Sequence, residues 1–521
     1  MRPSQLTKAE KSLHDQINIL PGKQLLTAFG TLSAALLIAC IDQNGISVTL
    51  PTISRDLSAE STISWAGTAS LLANTTFQML YGRLSDILGR KTIFIATILI
   101  LSAADLLCGL SKNAPMFYVF RGIAGIGGGG ITNLSMIIVS DIVTLDQRGK
   151  YQGIIGSIVG FANVIGPFIA ALIVQKSRWQ GFFWMLSPLS VLAAVLTYFF
   201  LPSKPPTEAF KASISKVDWA GALLLSAGVI LLLIPISGGG SYFQWSSPMI
   251  ISMLAIGFVS FIGFITWEWK LAKLPLMPVD IYKNYAVSIM LTQSFLLGAV
   301  YQSYLYYVPL YLQNAHQYSV MTSALLYMPM VISQCISSIL SGQYISRFKR
   351  YGEVIMFGFG TWTLGAGLAL ILSKDTHPAA IAAILSVVGV GVGSVFQPTL
   401  IALQANSPIS RRAIIISNRN FYRCAGGACG LTVSAALLQA RLRSALPAEY
   451  KYLATSTYSV PSAGESQFPG VLDAYMAASH SVFILQLPLI GLCFLGTALL
   501  KDRGLETVET AQPSESVISQ G

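Results

Sequence analysis

Residues 82–91 read Gly-Arg-Leu-Ser-Asp-Ile-Leu-Gly-Arg-Lys, a short polar stretch between two long apolar runs. Its two glycines allow helix ends to approach closely. Arg83, Arg90 and Lys91 favour the cytoplasmic face of a membrane, because basic residues accumulate in the short loops on that side. Asp86 can accept hydrogen bonds from a helix N-terminus or from an arginine. The stretch therefore predicts a cytoplasmic hairpin between two membrane helices.

The composition of the whole chain agrees with this prediction. Of its 521 residues, 53% are hydrophobic and only 11% are charged, and the mean hydropathy is +0.62. Soluble proteins of this size do not have such values. The net charge of +11 does not indicate a nucleic-acid partner, because the cations fall in short loops and form no basic stripe with interleaved aromatic residues.

Residue types that carry enzymatic chemistry form no recognisable pattern. The six cysteines lie in apolar runs without a C-x-x-C pair, and the four histidines fall in tails or loops without metal-ligand spacing. The glycine run 125–130 has no preceding strand and no G-K-[S/T] sequence, so it does not indicate a phosphate-binding loop. We predict a protein that is not an enzyme and that has no metal site and no cofactor.

A membrane-spanning helix needs about 20 apolar residues. Fourteen segments meet that criterion, at 26–50, 63–82, 92–111, 115–138, 151–174, 181–201, 217–237, 248–267, 285–312, 321–345, 354–373, 378–403, 414–438 and 478–499. An even number of spans places both termini on one side. About 22 of the 33 Lys and Arg residues then fall on the N-terminal side and about 8 opposite, which predicts that both termini are cytoplasmic.

The hairpin at 82–91 resembles the signature loop between helices 2 and 3 of major facilitator transporters, G-x-L-x-D-x-x-G-R-K. A weak internal repeat supports the resemblance, because 125–129 is echoed by 389–393 and 82–91 by 342–351. The resemblance implies an all-α membrane protein with the major facilitator fold and fourteen transmembrane helices. The expected organisation is a tail at 1–24, a six-helix half at 25–201, a linker with two inserted helices at 202–283, a second six-helix half at 284–500 and a tail at 501–521.

An acidic residue, Asp42, lies inside the first predicted helix. A charged side chain there costs about 2.5–3.5 kcal/mol on insertion scales unless it is paired or faces a cavity. The segment from Asp42 to Pro51 resembles the L-D-x-T-x-V-x-x-A-L-P pattern of fourteen-span drug:proton antiporters, with Asn44 where that family has Thr. Two interpretations stay open, a proton or substrate role and an interhelical hydrogen bond that only orders the helix.

Arg121 opens the fourth predicted helix and matches the R-x-x-x-G motif of the same family, which implies a role in proton coupling. A permanent cation cannot release a proton, so Arg121 would act on a carboxylate and change partner between conformations. Asp42 and Asp105 are the candidate partners. The alternative for Arg121 is a snorkelling side chain at the outer helix end, and the alternative for Asp105 is a position facing an extracellular funnel near Lys112.

Two further motifs follow from the resemblance. The hairpin is expected to act as a conformational gate through Gly82, Asp86, Gly89, Arg90 and Lys91. In the fifth predicted helix, Gly160, Gly166 and Pro167 belong to a small-residue face that resembles the antiporter signature G-x-x-x-G-P-x-x-G-G, with alanine at three of its glycine positions. In the family this signature marks exporters. Asp141 and Asp146, beside two basic residues, are expected to form a solvated salt-bridge cluster.

A set of amide, aromatic and basic side chains is predicted to line a substrate cavity: Asn44, Gln302, Tyr306, Gln397, Asn420 and Arg423. Residues 396–398 and 418–427 resemble fungal members of the fourteen-span family. Aromatic and amide groups together suit a large ligand that is mostly apolar. For the tyrosines near position 301, including Tyr301 and Tyr307, the alternative is an interfacial aromatic belt.

These features predict proton-coupled efflux of small, largely apolar organic compounds, such as drugs or toxic metabolites, by a multi-pass protein of the plasma membrane. Its expected partners are the organic substrate, protons and the lipid bilayer, without nucleic acid and without an obligatory protein partner. The alternatives are an importer or vacuolar carrier for basic amino acids or siderophores, in which case the vacuolar membrane is the location, and a nutrient sensor that does not transport.

Overall fold

The computed structural model describes residues 20–59, 62–63, 65–202, 217–238, 244–272, 274–408, 411–455, 470–500, 502 and 504–505. These ranges contain fourteen α-helices and no β-strand. The first six are α1 (Gly22–Asp56), α2 (Trp65–Leu88), α3 (Arg90–Gly109), α4 (Ala114–Ile142), α5 (Leu145–Lys176) and α6 (Gln180–Phe200). The next two are α7 (Trp219–Gly238) and α8 (Pro248–Lys270).

The remaining six helices are α9 (Tyr285–Asn314), α10 (Val320–Phe348), α11 (Gly352–Ala369), α12 (Pro378–Ala405), α13 (Arg412–Ala445) and α14 (Val471–Ala498). Short 3-10 helices lie at Val279–Lys283 and Ala448–Thr455. The fold is all-helical, as predicted. The predicted tails lie almost entirely outside the described residues, as do Lys204, Lys211 and Lys216, which contribute to the predicted charge asymmetry.

Within the described residues, eleven helices are long and apolar enough to cross a membrane. The other three are α2, α9 and α11, so the full count of fourteen spans stays a prediction. Polar residues on the packed face of α2 account for its lower hydropathy, since Asn74, Gln78 and Arg83 are all buried against neighbouring helices.

Two separate hydrophobic cores organise the bundle. One is formed mainly by α1–α6, with Leu36, Phe94 and Phe182 among its fully buried side chains. The other is formed mainly by α9–α14 and includes Phe359 and Trp362. Large apolar side chains that stay exposed, such as Phe199 and Phe258, lie on the outer surface, which is the surface that lipid covers in a membrane protein.

The two cores meet through two pairs of closely packed helices. On α2, a Cβ atom at Gly82 would lie 3.0 Å from the carbonyl oxygen of Ala413 on α13. On α5, a Cβ atom at Gly149 would lie 2.5 Å from the carbonyl oxygen of Gly342 on α10. Glycine is required at both places because a side chain would push the backbones apart.

The α7–α8 hairpin packs beside the junction of α2 and α13. Leu225 and Val229 on α7 share a cluster with Leu72 on α2 and Phe421 on α13. After α8, the chain returns along the same junction, where the backbone amides of Leu276 and Met277 donate to the Glu268 carboxylate. The inserted pair therefore contacts both halves of the bundle.

Candidate functional site

Asp42, Arg121 and Asp105 meet in the interior of the first half, on α1, α4 and α3. Each is at most 1% exposed. Arg121 Nη1 lies 2.6 Å from Asp42 Oδ1, and Nη2 lies 3.1 Å from Asp42 Oδ2. The same Nη1 atom lies 3.9 Å from Asp105 Oδ1. Both candidate partners are thus in place around one guanidinium, which we call the charge triad.

Burial excludes two of the alternative interpretations. A snorkelling arginine exposes its charged head, whereas Arg121 is enclosed and paired. Asp105 does not face an extracellular funnel, because it is fully buried. Neither oxygen of the Asp105 carboxyl accepts a hydrogen bond. The triad contains two carboxyl groups and one guanidinium cation, so its net charge is zero when one of the two carboxyl groups is protonated.

The glycine run on α4 explains how the triad assembles. A Cβ atom at Gly127 would lie 2.7 Å from the backbone nitrogen of Leu101, so α3 and α4 are in direct backbone contact. Asp105 lies one helical turn after Leu101, and the helices run in opposite directions, so this contact brings Asp105 towards the start of α4. There, the Asn113 side chain caps the helix by accepting from the amide of Met116 at 2.9 Å.

An aromatic cluster closes the triad from one side. The Phe183 ring centroid lies 5.8 Å from the Arg121 guanidinium carbon. Phe183 contacts Phe117 and Trp179 edge to face, with centroid distances of 5.7 and 6.1 Å. These rings keep the charges in a low-dielectric environment, where a change of protonation has a large electrostatic effect. Phe117 lies on α4, Phe183 on α6 and Trp179 just before α6, and nothing in the local sequence indicated that these rings would meet at Arg121.

At the other end of α4, the predicted gate residues join a charged network that spans both halves. Arg90 Nη2 lies 2.5 Å from Asp86 Oδ1, and Arg90 Nε lies 3.0 Å from Asp141 Oδ2. Asp141 Oδ1 lies 3.8 Å from Nη1 of Arg412, the first residue of α13. We call these four residues the gate network. The expectation that Asp141 is solvated was wrong: it is 8% exposed, because α13 of the second half covers it.

The other gate residues have structural roles beside this network. Gly89 has φ of +95°, a conformation that favours glycine, and it separates α2 from α3. Gly82 allows α13 to pack directly on α2. The Lys91 ammonium lies 5.0 Å from the ring centroid of Tyr198 on α6. The side chain of Asp146 lies outside the described residues.

The predicted antiporter residues contact both halves. A Cβ atom at Gly160 would lie 2.7 Å from Cys335 Sγ on α10. At Gly166 it would lie 3.1 Å from the carbonyl oxygen of Ile41, the residue before Asp42 on α1. Pro167 lies inside α5 without ending the helix. The packing of α5 is therefore directly linked to the segment that carries the triad.

The predicted cavity residues form two groups, and the first consists of Asn420, Asn44, Gln302 and Tyr306. Asn420 ties the halves together, since its Nδ2 donates to Asn133 Oδ1 on α4 at 3.0 Å. Asn44 donates to the Cys40 carbonyl of its own helix at 2.7 Å. Gln302 packs against Gly427 of α13, and the Tyr306 ring contacts that of Tyr307.

The remaining members surround Phe396 on α12. The guanidinium carbons of Arg419 and Arg423 lie 5.2 and 5.4 Å from its ring centroid, and Gln397 is buried beside it. Tyr301 packs on the same ring at 5.0 Å, and its hydroxyl accepts from Asn163 on α5 at 2.7 Å. Tyr301 and Tyr307 are buried, so the interfacial-belt interpretation is wrong for both.

The sequence profile of the Major Facilitator Superfamily matches residues 32–431. The chain belongs to the major facilitator superfamily. This facilitator is 45% identical over 517 residues to citrate exporter 1 of Yarrowia lipolytica, a match that covers 97% of this chain and 76% of the relative. It is 41% identical over 505 residues to the MFS-type transporter clz4 of Cochliobolus lunatus, covering 97% of this chain and 91% of the relative.

The facilitator fold is also found in a solved structure. The crystal structure of the human organic anion transporter MFSD10 (TETRAN) matches 92% of this chain and 100% of its own chain, with a TM-score of 0.59 and 13% sequence identity. At this identity the match shows the fold alone. Together, the family and its relatives establish a membrane transporter of small molecules.

Sequence reasoning missed several residues of this facilitator's site. Asn133 and Asn163 bridge the halves but are single amides in apolar helices, and Gln334 donates to the Tyr301 hydroxyl at 3.2 Å. Like Asn44, each of these amides could have been recognised as a polar residue inside a predicted span. Arg412 falls between the predicted spans 378–403 and 414–438, whereas it is the first residue of α13, and its partner Asp141 is distant in the sequence.

Proposed function

We propose that this facilitator exports a small organic compound and takes up protons in exchange. The observation that carries the proposal is that two buried carboxyl groups approach the same Nη1 atom of Arg121. A carboxyl group inside a membrane helix gains or loses a proton when its cationic partner moves, so it can couple proton movement to a conformational change. The triad contains two acids and a fixed cation, which is the minimum for a partner exchange that depends on one proton.

The exchange proceeds in two steps. In the present conformation Arg121 binds Asp42 through two hydrogen bonds. Protonation of Asp42 removes its negative charge and weakens that pair, so Arg121 turns towards Asp105. Because α1 also packs on Gly166 of α5, a shift of the α1 segment is transmitted to the helix that contacts the second half.

The gate network supports alternating access. Asp141 in the first half lies between Arg90 and Arg412, so opening this end of the bundle must separate Arg412 from Asp141. With both termini in the cytoplasm, this end is the cytoplasmic gate, and it is closed here. The substrate is released to the opposite side, and a return to the inward-facing form requires the network to break.

Two observations support export as the direction. Gly160, Gly166 and Pro167, which resemble the exporter signature, form close contacts with α10 and α1. The relative from Yarrowia lipolytica is named a citrate exporter. We place this activity in the plasma membrane.

Inside-out plasma-membrane vesicles test the function. Uptake of labelled compounds, both carboxylates and lipophilic drugs, is measured with an acidic lumen, and it should exceed uptake at equal pH. Asp42→Asn should remove the pH dependence. A matched control is Asp280→Asn, which changes an exposed acid paired with Lys283 on the surface. Uptake that needs an alkaline lumen would indicate symport and support the importer alternative.

A further inference from the structure

Two arginines of the second half, Arg419 and Arg423, carry positive charge into the interior without an acidic partner among the described residues. Arg419 is fully buried on α13. Its Nη2 donates to the Phe396 carbonyl and its Nη1 to Asn420 Oδ1 at 3.2 Å, so both acceptors are neutral. Among the residues that the structure describes, neither Arg419 nor Arg423 lies within 4.0 Å of a carboxylate, whereas Arg121 is paired with Asp42.

The two guanidinium groups lie close to one another around Phe396. Their carbons are 5.2 and 5.4 Å from the centroid of that ring. Like charges repel in a low-dielectric interior. A buried charge is stabilised by a counter-charge or by further hydrogen bonds. Here the described part of the chain supplies neutral acceptors to Arg419 and no counter-charge to either arginine, so a bound anion would stabilise the pair.

The position of Arg423 places this site between the two halves. Its side chain is partly exposed, and its guanidinium lies over the Phe396 ring on α12, which also packs against Tyr301 on α9. Tyr301 accepts a hydrogen bond from Asn163 on α5 of the first half, so the group of side chains around Phe396 reaches the contact between the halves. In addition, the buried Nε atom of Arg423 has no hydrogen-bond partner, which leaves one of its donors unsatisfied.

An unsatisfied amide adjoins the same ring. Gln397 follows Phe396 and is fully buried, yet neither its Nε2 nor its Oε1 atom has a hydrogen-bond partner. Buried polar groups in folded proteins are almost always hydrogen-bonded. Gln397 packs beside Gly156 on α5, so it lies at the contact between the halves. It offers a second, neutral donor on the helix that carries Phe396.

We propose that Arg419, Arg423 and Gln397 form a binding site for a small organic carboxylate. Arg423 contacts the carboxylate, since a guanidinium forms two parallel hydrogen bonds with it. Arg419 is a positioning residue that adds a second positive charge from behind Phe396, which favours ligands with two or more carboxylates. This site differs from the expected mostly apolar cavity. The inference names the substrate class of the proposed exporter and therefore rests on that function.

Direct binding to the purified protein in detergent tests the site. Labelled citrate is the probe, and unlabelled succinate, triethyl citrate and tetraphenylphosphonium are the competitors. Citrate should bind saturably, succinate should compete, and the neutral ester and the cation should not. The proposal is overturned if triethyl citrate competes as well as citrate does or if citrate does not bind at all. It is also overturned if the cation binds more strongly than citrate.

Substitutions on α13 test which arginine binds the carboxylate. Arg423→Gln should weaken citrate binding at least about tenfold, roughly one bidentate charged contact, and Arg423→Lys should recover part of it. Arg443→Gln is the matched control, because it removes the same charge from an exposed position of α13. Arg419→Gln should reduce affinity for citrate more than for acetate, which a merely structural role would not do. Unchanged citrate affinity in Arg423→Gln contradicts the site.

The binding assay separates this inference from the proposed function. It needs no proton gradient and no transport. If citrate binds through Arg423 while vesicles show no proton-driven uptake, the carboxylate site stands and the exchange with protons is wrong. If proton-driven uptake is found for lipophilic drugs and citrate does not bind, the function stands and the carboxylate site is wrong.

Discussion

Arg121 donates two hydrogen bonds to Asp42, and its Nη1 atom also lies 3.9 Å from Asp105 Oδ1. One guanidinium therefore holds two acids from two different helices, α1 and α3. The three side chains have almost no exposure to solvent. This arrangement makes the affinity of Arg121 for each acid depend on the protonation of the other.

The first prediction concerns the two acids. The double change Asp42→Asn/Asp105→Asn leaves no titratable group in the triad, so we expect concentrative transport to fall to background while exchange of labelled for unlabelled substrate continues. Counterflow in proteoliposomes measures the exchange, and uptake under a pH gradient measures the concentrative step. If the double variant still concentrates substrate, the coupling acid lies elsewhere.

The second prediction concerns the gate network. Asp86→Asn removes one of the two acids that bind Arg90, so the end of the bundle that carries the network should close less firmly and transport should decrease, with insertion into the membrane unaffected. Surface labelling and flux are measured on the same cells. Asp141→Asn should have a larger effect, because it also removes the contact with Arg412 across the halves. Equal flux in the wild type and Asp86→Asn would argue against a gate role.

A third prediction concerns the packing of α5. Gly166→Leu adds a side chain where a Cβ atom would already lie 3.1 Å from the Ile41 carbonyl oxygen. The variant should reach the membrane and lose transport, because α1 must move away from α5. Gly491→Leu on α14 is the control, since a Cβ atom there meets nothing within 4 Å. Comparable losses in both variants would assign the effect to general destabilisation.

The fourth prediction is a stability effect at the inserted helices. Glu268 is buried and accepts hydrogen bonds from the amides of Leu276 and Met277 at 3.1 and 2.9 Å. Glu268→Ala leaves two buried amides without an acceptor, which should lower stability by about 1–3 kcal/mol. Thermal unfolding in detergent measures the change. Glu268→Gln keeps an acceptor oxygen and should lose less; a loss equal to that of the alanine variant would contradict this role.

Sequence patterns predicted the positions of the helices more accurately than the residues at which they begin and end. The predicted spans 26–50 and 151–174 correspond to α1 and α5, which continue beyond the apolar run at both ends. Similarly, α13 extends to Ala445 although its predicted span ends at 438. Hydropathy marks where a helix leaves the apolar phase, whereas the backbone hydrogen bonds continue into the polar region.

The site was predictable where a polar residue interrupts an apolar helix. Asp42, Asp105 and Arg121 were recognisable for that reason, and the approach of Asp105 to Arg121 follows from the close packing of α3 and α4 at Gly127. The contact of Asp141 with Arg412 was not predictable, since it depends on how the two halves dock. The lack of an acidic partner for Arg419 and Arg423 among the described residues was likewise not predictable, since it depends on which side chains surround Phe396.

Proton-driven transport by the purified protein tests the central claim most directly. Proteoliposomes are prepared with an acidic lumen and with the membrane potential clamped, and uptake of labelled citrate or another compound transported in vesicles is followed over time. The account predicts that substrate accumulates above its external concentration and that a proton ionophore abolishes the accumulation. Equal accumulation with and without the pH gradient, or accumulation only when the lumen is alkaline, would contradict exchange of substrate for protons.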